Sequence, residues 1–147
     1  MDSSRAEIEA LLPHRDPFLF VDRIVERGED TLATEWSVRE DMDVFRGHYP
    51  GNPILPGVLI AEHCFQSGAL LIYSGADSKD DAGTPVLTRI EDARYKRIVR
   101  PGDTLTTAVT LEDSLSNARF CSAVVRCGGQ VVARLKFTLA LAAEAPA

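Results

Sequence analysis

A chain of 147 residues, 45% hydrophobic and 26% charged, has the length and apolar content of one globular domain with its own core. Its formal net charge of −6 argues against nucleic acid as a partner. The first ten residues are polar and acidic, so no signal peptide, transmembrane span or membrane association is expected.

Ser4 and Glu7 stand at capping-box spacing ahead of Ile8, Leu11 and Leu12, predicting a short helix over about 4–12 that Pro13 stops. His14, Arg15 and Asp16 form a polar turn, with His14 read as a hydrogen-bonding residue of the turn or core. The β-type run Phe18 to Ile24 predicts the first strand. Thr31 to Val38 alternates and should pair with it through a turn at Gly28 to Asp30, placing Trp36 in the core or an interface. Residues 39–46, with Phe45, lead into Gly47 and His48.

The stretch from Gly47 to Tyr73 organises the chain. Pro50, Pro53 and Pro56 each remove a backbone donor and hold the residue before them out of helical angles, so a helix starts only at Gly57. It is expected over about 57–73, and its apolar run is too short and too polar in the middle to span a bilayer. The unpaired amides at Gly57, Val58 and Leu59 offer a site for developing negative charge. Glu62 and Gln66, at i and i+4, share a stripe on a helix otherwise built of Val, Leu, Ile, Ala, Cys and Phe. A carboxylate in such surroundings needs a partner or a proton, and desolvation is expected to raise the Glu62 pKa. His63 points about 100° away from Glu62 and is read as a packing or interface residue.

Ser74 to Thr84 is a polar, Gly-containing loop expected to be mobile. Strands follow at Pro85 to Ile90, continuing toward Tyr95 to Val99, then at Thr104 to Glu112, Ala118 to Cys127 and Gln130 to Leu141. Gly128-Gly129 marks a two-residue hairpin, and Arg100-Pro101-Gly102-Asp103 places Pro and Gly at the centre of a type II turn. One buried helix with strands before and after it excludes a doubly wound sheet. The fold class is therefore α+β, a largely antiparallel sheet wrapped around one long helix, with residues 142–147 a frayed tail. Cys121 and Cys127, on one strand, would lie roughly 20 Å apart, too far for a disulfide. A reducing compartment follows, most simply the cytoplasm, with Cys64 a small core residue. Metal-ligand spacings and nucleotide fingerprints are absent, so neither metal nor cofactor is expected.

The blocks LPHRDPFLFVDRI, HYPGNPILPGVLIAEHCFQ and ARYKRIVRPGD, in this order between about Leu11 and Leu139, closely resemble bacterial 3-hydroxyacyl-acyl-carrier-protein dehydratases of the FabZ type. That resemblance implies a hotdog fold and a (3R)-3-hydroxyacyl-ACP dehydratase that gives trans-2-enoyl-ACP without a cofactor. It implies His48 and Glu62 as the catalytic pair, drawn from opposite subunits of at least a homodimer. Dehydration needs a base for the C2 proton, a donor for the departing C3 hydroxyl and stabilisation of the thioester oxygen. His48, Glu62 and the amides of Gly57 and Val58 offer one candidate for each.

Gln66 is read as positioning Glu62 or a water. Leu59, Phe65 and Tyr49 are candidate tunnel or supporting residues. In the segment Arg89 to Arg100, five basic residues outnumber Glu91 and Asp92, so Arg94, Lys96, Arg97 and Arg100 are candidates for docking an acidic acyl carrier protein. Tyr49 and the His63-Cys64-Phe65 triplet depart from the family pattern and leave acyl-chain preference open. Alternatives are a hotdog acyl thioesterase and a non-catalytic acyl-thioester-binding subunit. Glutamate at position 62, where a related isomerising class has aspartate, points to dehydration alone.

Overall fold

The computed structural model describes residues 5–75 and 83–143. The proposed Ser4 cap, the loop at 76–82 and the tail at 144–147 lie outside the described residues. The elements run α1 (Arg5–Leu11), β1 (Arg23–Arg27), β2 (Thr31–Ser37), a 3₁₀ turn at Asp43–Arg46, α2 (Gly57–Ser74), β3 (Thr84–Tyr95), β4 (Thr104–Leu115), β5 (Ala118–Cys127) and β6 (Gln130–Ala142). Six antiparallel strands in the order β1-β2-β4-β5-β6-β3 form one sheet, and α2 packs on its inner face.

The sequence dictates this packing through period-2 alternation. Leu105, Thr107 and Val109 of β4, Cys121, Ala123 and Val125 of β5, and Leu135, Phe137 and Leu139 of β6 all turn inward and are buried. Against them lies a helix buried nearly all round: between Ile60 and Tyr73 every residue is buried except Glu62. Gly68 lets the helix settle onto β6, since a Cβ there would lie 2.8 Å from the Phe137 ring. Two predicted turns form as expected. Gly128 and Gly129, at φ 58° and 82°, close the β5–β6 hairpin, and Gly102, at φ 94°, completes the type II turn whose Asp103 N–H donates to the Arg100 carbonyl.

The first strand differs from expectation. β1 starts at Arg23, and Phe18 to Asp22 form an extended strap across α2. The strap's backbone groups are taken by helix side chains. Phe20 N–H donates to Gln66 Oε1 (2.8 Å), the Phe20 carbonyl accepts from His63 Nδ1 (2.6 Å) and the Phe18 carbonyl accepts from Gln66 Nε2 (3.1 Å). Leu19, Phe20 and Val21 are apolar because they are core, although their backbone joins no strand here.

β3 continues past Ile90 as the sequence suggests but ends at Tyr95, short of Val99, and it carries bulges between Leu87 and Arg89 and between Glu91 and Arg94, the second containing Asp92 at φ 51°. It pairs with β6 along one side only. Val86, Leu87, Ile90 and Tyr95 are exposed along it. None of the described helices is long and apolar enough to cross a membrane.

Candidate active site

His48 is held by its own loop. Its backbone N–H and that of Gly47 both donate to the Val44 carbonyl at the end of the 3₁₀ turn (2.9 and 3.2 Å). Its Nδ1 lies 2.6 Å from the Ile54 carbonyl oxygen. A carbonyl can only accept, so Nδ1 carries a proton, and in the neutral ring it is Nε2 that presents the lone pair. Tyr49 follows in the left-handed region at φ 59°, with its ring edge-on to the imidazole at 4.5 Å. This is an unusual conformation for a bulky residue and marks the loop as strained. Asn52 N–H then donates to the Tyr49 carbonyl, and Arg100 reaches across to Asn52 Oδ1 (2.7 Å) and the Pro53 carbonyl (3.3 Å).

The three prolines end where predicted. Pro56 caps α2, and its carbonyl accepts from the amides of Leu59 and Ile60. The Gly57 and Val58 amides have no partner among the described residues, and the Val58 side chain is exposed. The Tyr95 hydroxyl donates to the Gly57 carbonyl (2.9 Å), and its ring lies so close that a Cβ on Gly57 would meet it at 3.2 Å. Glycine is required here for packing as well as for access to the amide.

Glu62 emerges one turn further along α2, its side chain 23% exposed in the single chain. Gln66 Nε2 donates to Glu62 Oε2 at 3.1 Å, and Gln66, itself buried, spends its other bonds on the strap. Leu59, Phe18, Phe20, Trp36, Met42 and Val44 form the apolar wall of a pocket of about 350 Å³ that charged residues, among them Arg5, Asp16, Asp22 and Arg39, also border. Phe65 instead packs edge-on against Phe137 in the core. Among the described residues no hydrogen bond or ion pair joins His48 to Glu62.

His63 lies fully buried between the strap and the sheet. Nδ1 donates to the Phe20 carbonyl and Nε2 accepts from the Thr107 hydroxyl (2.8 Å), so the ring is held neutral; burial pushes its pKa down to about 4. Burial likewise pushes the Cys64 thiol up, which suits a core residue.

Residues 12–136 match the family model described as the FabA-like domain. The chain belongs to the FabA-like family. It is 52% identical over 108 residues to the 3-hydroxyacyl-[acyl-carrier-protein] dehydratase FabZ of Chloroflexus aggregans, covering 72% of this chain and 73% of that protein. It is 40% identical over 126 residues to the FabZ of Oenococcus oeni, covering 84% and 88%. Among solved structures it is similar to the dehydratase heterocomplex ApeI:P from Xenorhabdus doucetiae (TM-score 0.76, 16% identity, 93% and 91% coverage) and to zebra fish thioesterase superfamily member 2 (TM-score 0.70, 15% identity, 94% and 95% coverage). The fold is the hotdog fold, which here accommodates both dehydratases and thioesterases, so the fold alone does not choose the chemistry.

In this FabA-like chain the residues singled out from the sequence fall into three groups. His48 and Tyr49 sit on the loop before α2; Gly57, Val58, Leu59, Glu62 and Gln66 sit on its first three turns. Of the basic residues, Arg97 bonds the Cys127 carbonyl and Gln130 Oε1 at the β5–β6 hairpin, and Arg100 braces the His48 loop. The side chains of Arg94 and Lys96 have no partner among the described residues and share an open groove with Arg134 and Lys136. Two neighbours of the site escaped sequence reasoning. Tyr95 carries no signal beyond its place in the third resembling block, and His14, within the first block, reads from sequence as a hydrogen-bonding residue of the turn or core.

Proposed function

We propose that this chain is a (3R)-3-hydroxyacyl-ACP dehydratase forming trans-2-enoyl-ACP in fatty acid or related acyl or polyketide biosynthesis. The observation that carries this reading is the Nδ1 contact of His48 with the Ile54 carbonyl, which fixes the tautomer of the neutral ring so that Nε2 is the nitrogen available as a base. His48 Nε2 takes the C2 proton, the C3–O bond breaks, and Glu62 in its acid form gives its proton to the departing hydroxyl, which leaves as water. The free amide N–H groups of Gly57 and Val58 donate to the thioester oxygen as charge develops on it. At the end of the step His48 is protonated and Glu62 ionised, and proton return through water restores both.

The two groups do not meet within one chain, which supports a homodimer with each site shared between subunits. The unpaired, apolar edge of β3 supports the same assembly. Acyl carrier protein, acidic and carrying the 3-hydroxyacyl chain, is the partner, approaching the groove of Arg94 and Lys96, while Arg97 and Arg100 are engaged at the β5–β6 hairpin and the His48 loop. The cytoplasm is the compartment. No cofactor takes part in this reading.

The test is to incubate purified protein with a short 3-hydroxyacyl-ACP and follow enoyl formation and free thiol release together, beside His48→Ala. Enoyl product that disappears in the variant is the expected result. Thiol release without enoyl moves the assignment to a thioesterase, and neither product across several chain lengths moves it to a non-catalytic binding subunit.

A further inference from the structure

The turn after α1 places an imidazole at the catalytic carboxyl. His14 Nε2 lies 3.7 Å from Glu62 Oε2, the oxygen that Gln66 already holds, while Glu62 Oε1 has no partner among the described residues. The turn is braced for this placement. Arg15 donates from Nη1 to the Leu12 and His14 carbonyls (2.8 and 2.7 Å) and from Nη2 to the Glu9 carbonyl (3.0 Å), pinning the backbone on both sides of His14. The imidazole stacks at 6.4 Å on Phe18, whose carbonyl is fixed by Gln66.

One atom in this arrangement is unusual. His14 Nδ1 is buried without a hydrogen-bond partner, the only such side-chain nitrogen or oxygen among the described residues. A buried N–H with no acceptor is expensive, and a polar group left this way needs a reason. With the proton on Nε2, facing the carboxyl, Nδ1 is only an unused lone pair. That tautomer directs Nε2–H at Glu62 Oε2. A separation of 3.7 Å is too long for a hydrogen bond in the free chain, and catalytic contacts of this kind tighten when substrate binds.

We propose that His14 is a positioning residue for Glu62: in the substrate complex its Nε2–H closes on Oε2, so that Gln66 and His14 together hold that oxygen and aim Oε1 at the substrate's 3-hydroxyl. The proposal rests on the reading of Glu62 as the proton donor. It assigns to the LPHR block a role in the chemistry beyond that of a turn. Burial lowers the His14 pKa, with the charge of Arg15 adding to the shift and the carboxylate form of Glu62 opposing it; beside Glu62 in its acid form that opposition is absent, which favours a neutral imidazole that donates only from the nitrogen carrying its proton.

The experiment is a cycle of His14→Ala, Glu62→Gln and the double variant, with His14→Gln as the conservative replacement, each assayed for kcat and KM on 3-hydroxyacyl-ACP and for thermal midpoint. The expected result is a fall in kcat of about 10- to 100-fold in His14→Ala with KM within about twofold. His14→Gln, whose side-chain N–H reaches the position of Nε2, recovers most of that loss. Adding His14→Ala to Glu62→Gln changes the residual rate by less than about twofold, because a residue acting through Glu62 has nothing left to position. The proposal is overturned by an unchanged kcat in His14→Ala, by an equal loss in the two backgrounds, or by a loss that follows the thermal midpoint and is not recovered by glutamine. Wild-type rate in Glu62→Gln would remove the reading of Glu62 itself, an outcome distinct from all of these.

Discussion

The buried neutral histidine makes a quantitative prediction about acid stability. In the folded chain His63 is fully buried, donates to the Phe20 carbonyl, accepts from Thr107 and lies 5.4 Å from the Trp36 ring. Its pKa is pushed from an ordinary 6.5 to about 4 by burial, the Phe20 carbonyl opposing the shift only in part. A depressed folded-state pKa means that the unfolded chain binds the proton first. Above pH 6.5 the ring is neutral in both states and costs nothing; as pH falls from 6.5 through 4, stability is lost. At ~1.4 kcal/mol for each unit of pKa difference, the loss is about 3 kcal/mol. For a domain whose whole stability is of order 5–15 kcal/mol, that is a large share.

The assay is denaturant unfolding of the wild type and His63→Leu across this pH range. The variant starts less stable, because the Phe20 carbonyl and the Thr107 hydroxyl lose their partner, but the gap closes by about 3 kcal/mol by the acid end. Carboxylates titrate alike in both proteins and cancel. Parallel curves for the two proteins below pH 6.5 would refute the reasoning.

Gln66→Met keeps the side-chain volume but strips the partners from the Phe20 amide, the Phe18 carbonyl and Glu62. It should cost about 2–4 kcal/mol, lower kcat more than KM, and speed hydrogen exchange at the Phe20 amide; unchanged exchange would contradict the strap's attachment. Gly57→Ala would raise stability by up to about 1 kcal/mol at an open helix position. Here it should lower stability by about 1 kcal/mol, read by chemical denaturation, because the new Cβ meets the Tyr95 ring at 3.2 Å. Reversing charge at both Arg94 and Lys96 should cut kcat/KM on the acyl-ACP by roughly tenfold, less so at high salt, and leave a short non-protein thioester unaffected; equal losses on both substrates would argue against docking there.

Much of this was legible where local chemistry decides conformation. The start of α2 follows from Pro56 being the last residue that cannot join a helix, and the β5–β6 hairpin follows from two adjacent glycines that tolerate positive φ. The strap was not legible. Phe18 to Val21 have strand-like composition whether their backbone pairs with another strand or with Gln66 and His63, and only the closed fold brings those side chains across more than forty residues. The end of β3 at Tyr95 was less legible than its course, since its bulges break the alternation that marks a continuous strand. β4 runs on to Leu115 through Asp113 and Ser114, which carry no apolar period; its length comes from pairing with β5 around the turn at Ser116 and Asn117.

The polar residues of α2 explain why the site and the fold cannot be separated. Glu62, His63, Gln66 and Ser67 share one side of an otherwise apolar helix. Three of them are fully satisfied inside the protein: His63 by Phe20 and Thr107, Gln66 by the strap, and Ser67 by Thr34 and the His63 carbonyl. Each of these buried groups would be destabilising without its partner, so together they fix the strap against the helix to one register. The strap and the turn before it are what set Phe18 and His14 beside Glu62. Glu62, the one member left partly exposed, is therefore aimed by groups whose own positions are set by core hydrogen bonds, which is how a carboxyl on a smooth apolar helix acquires a fixed direction.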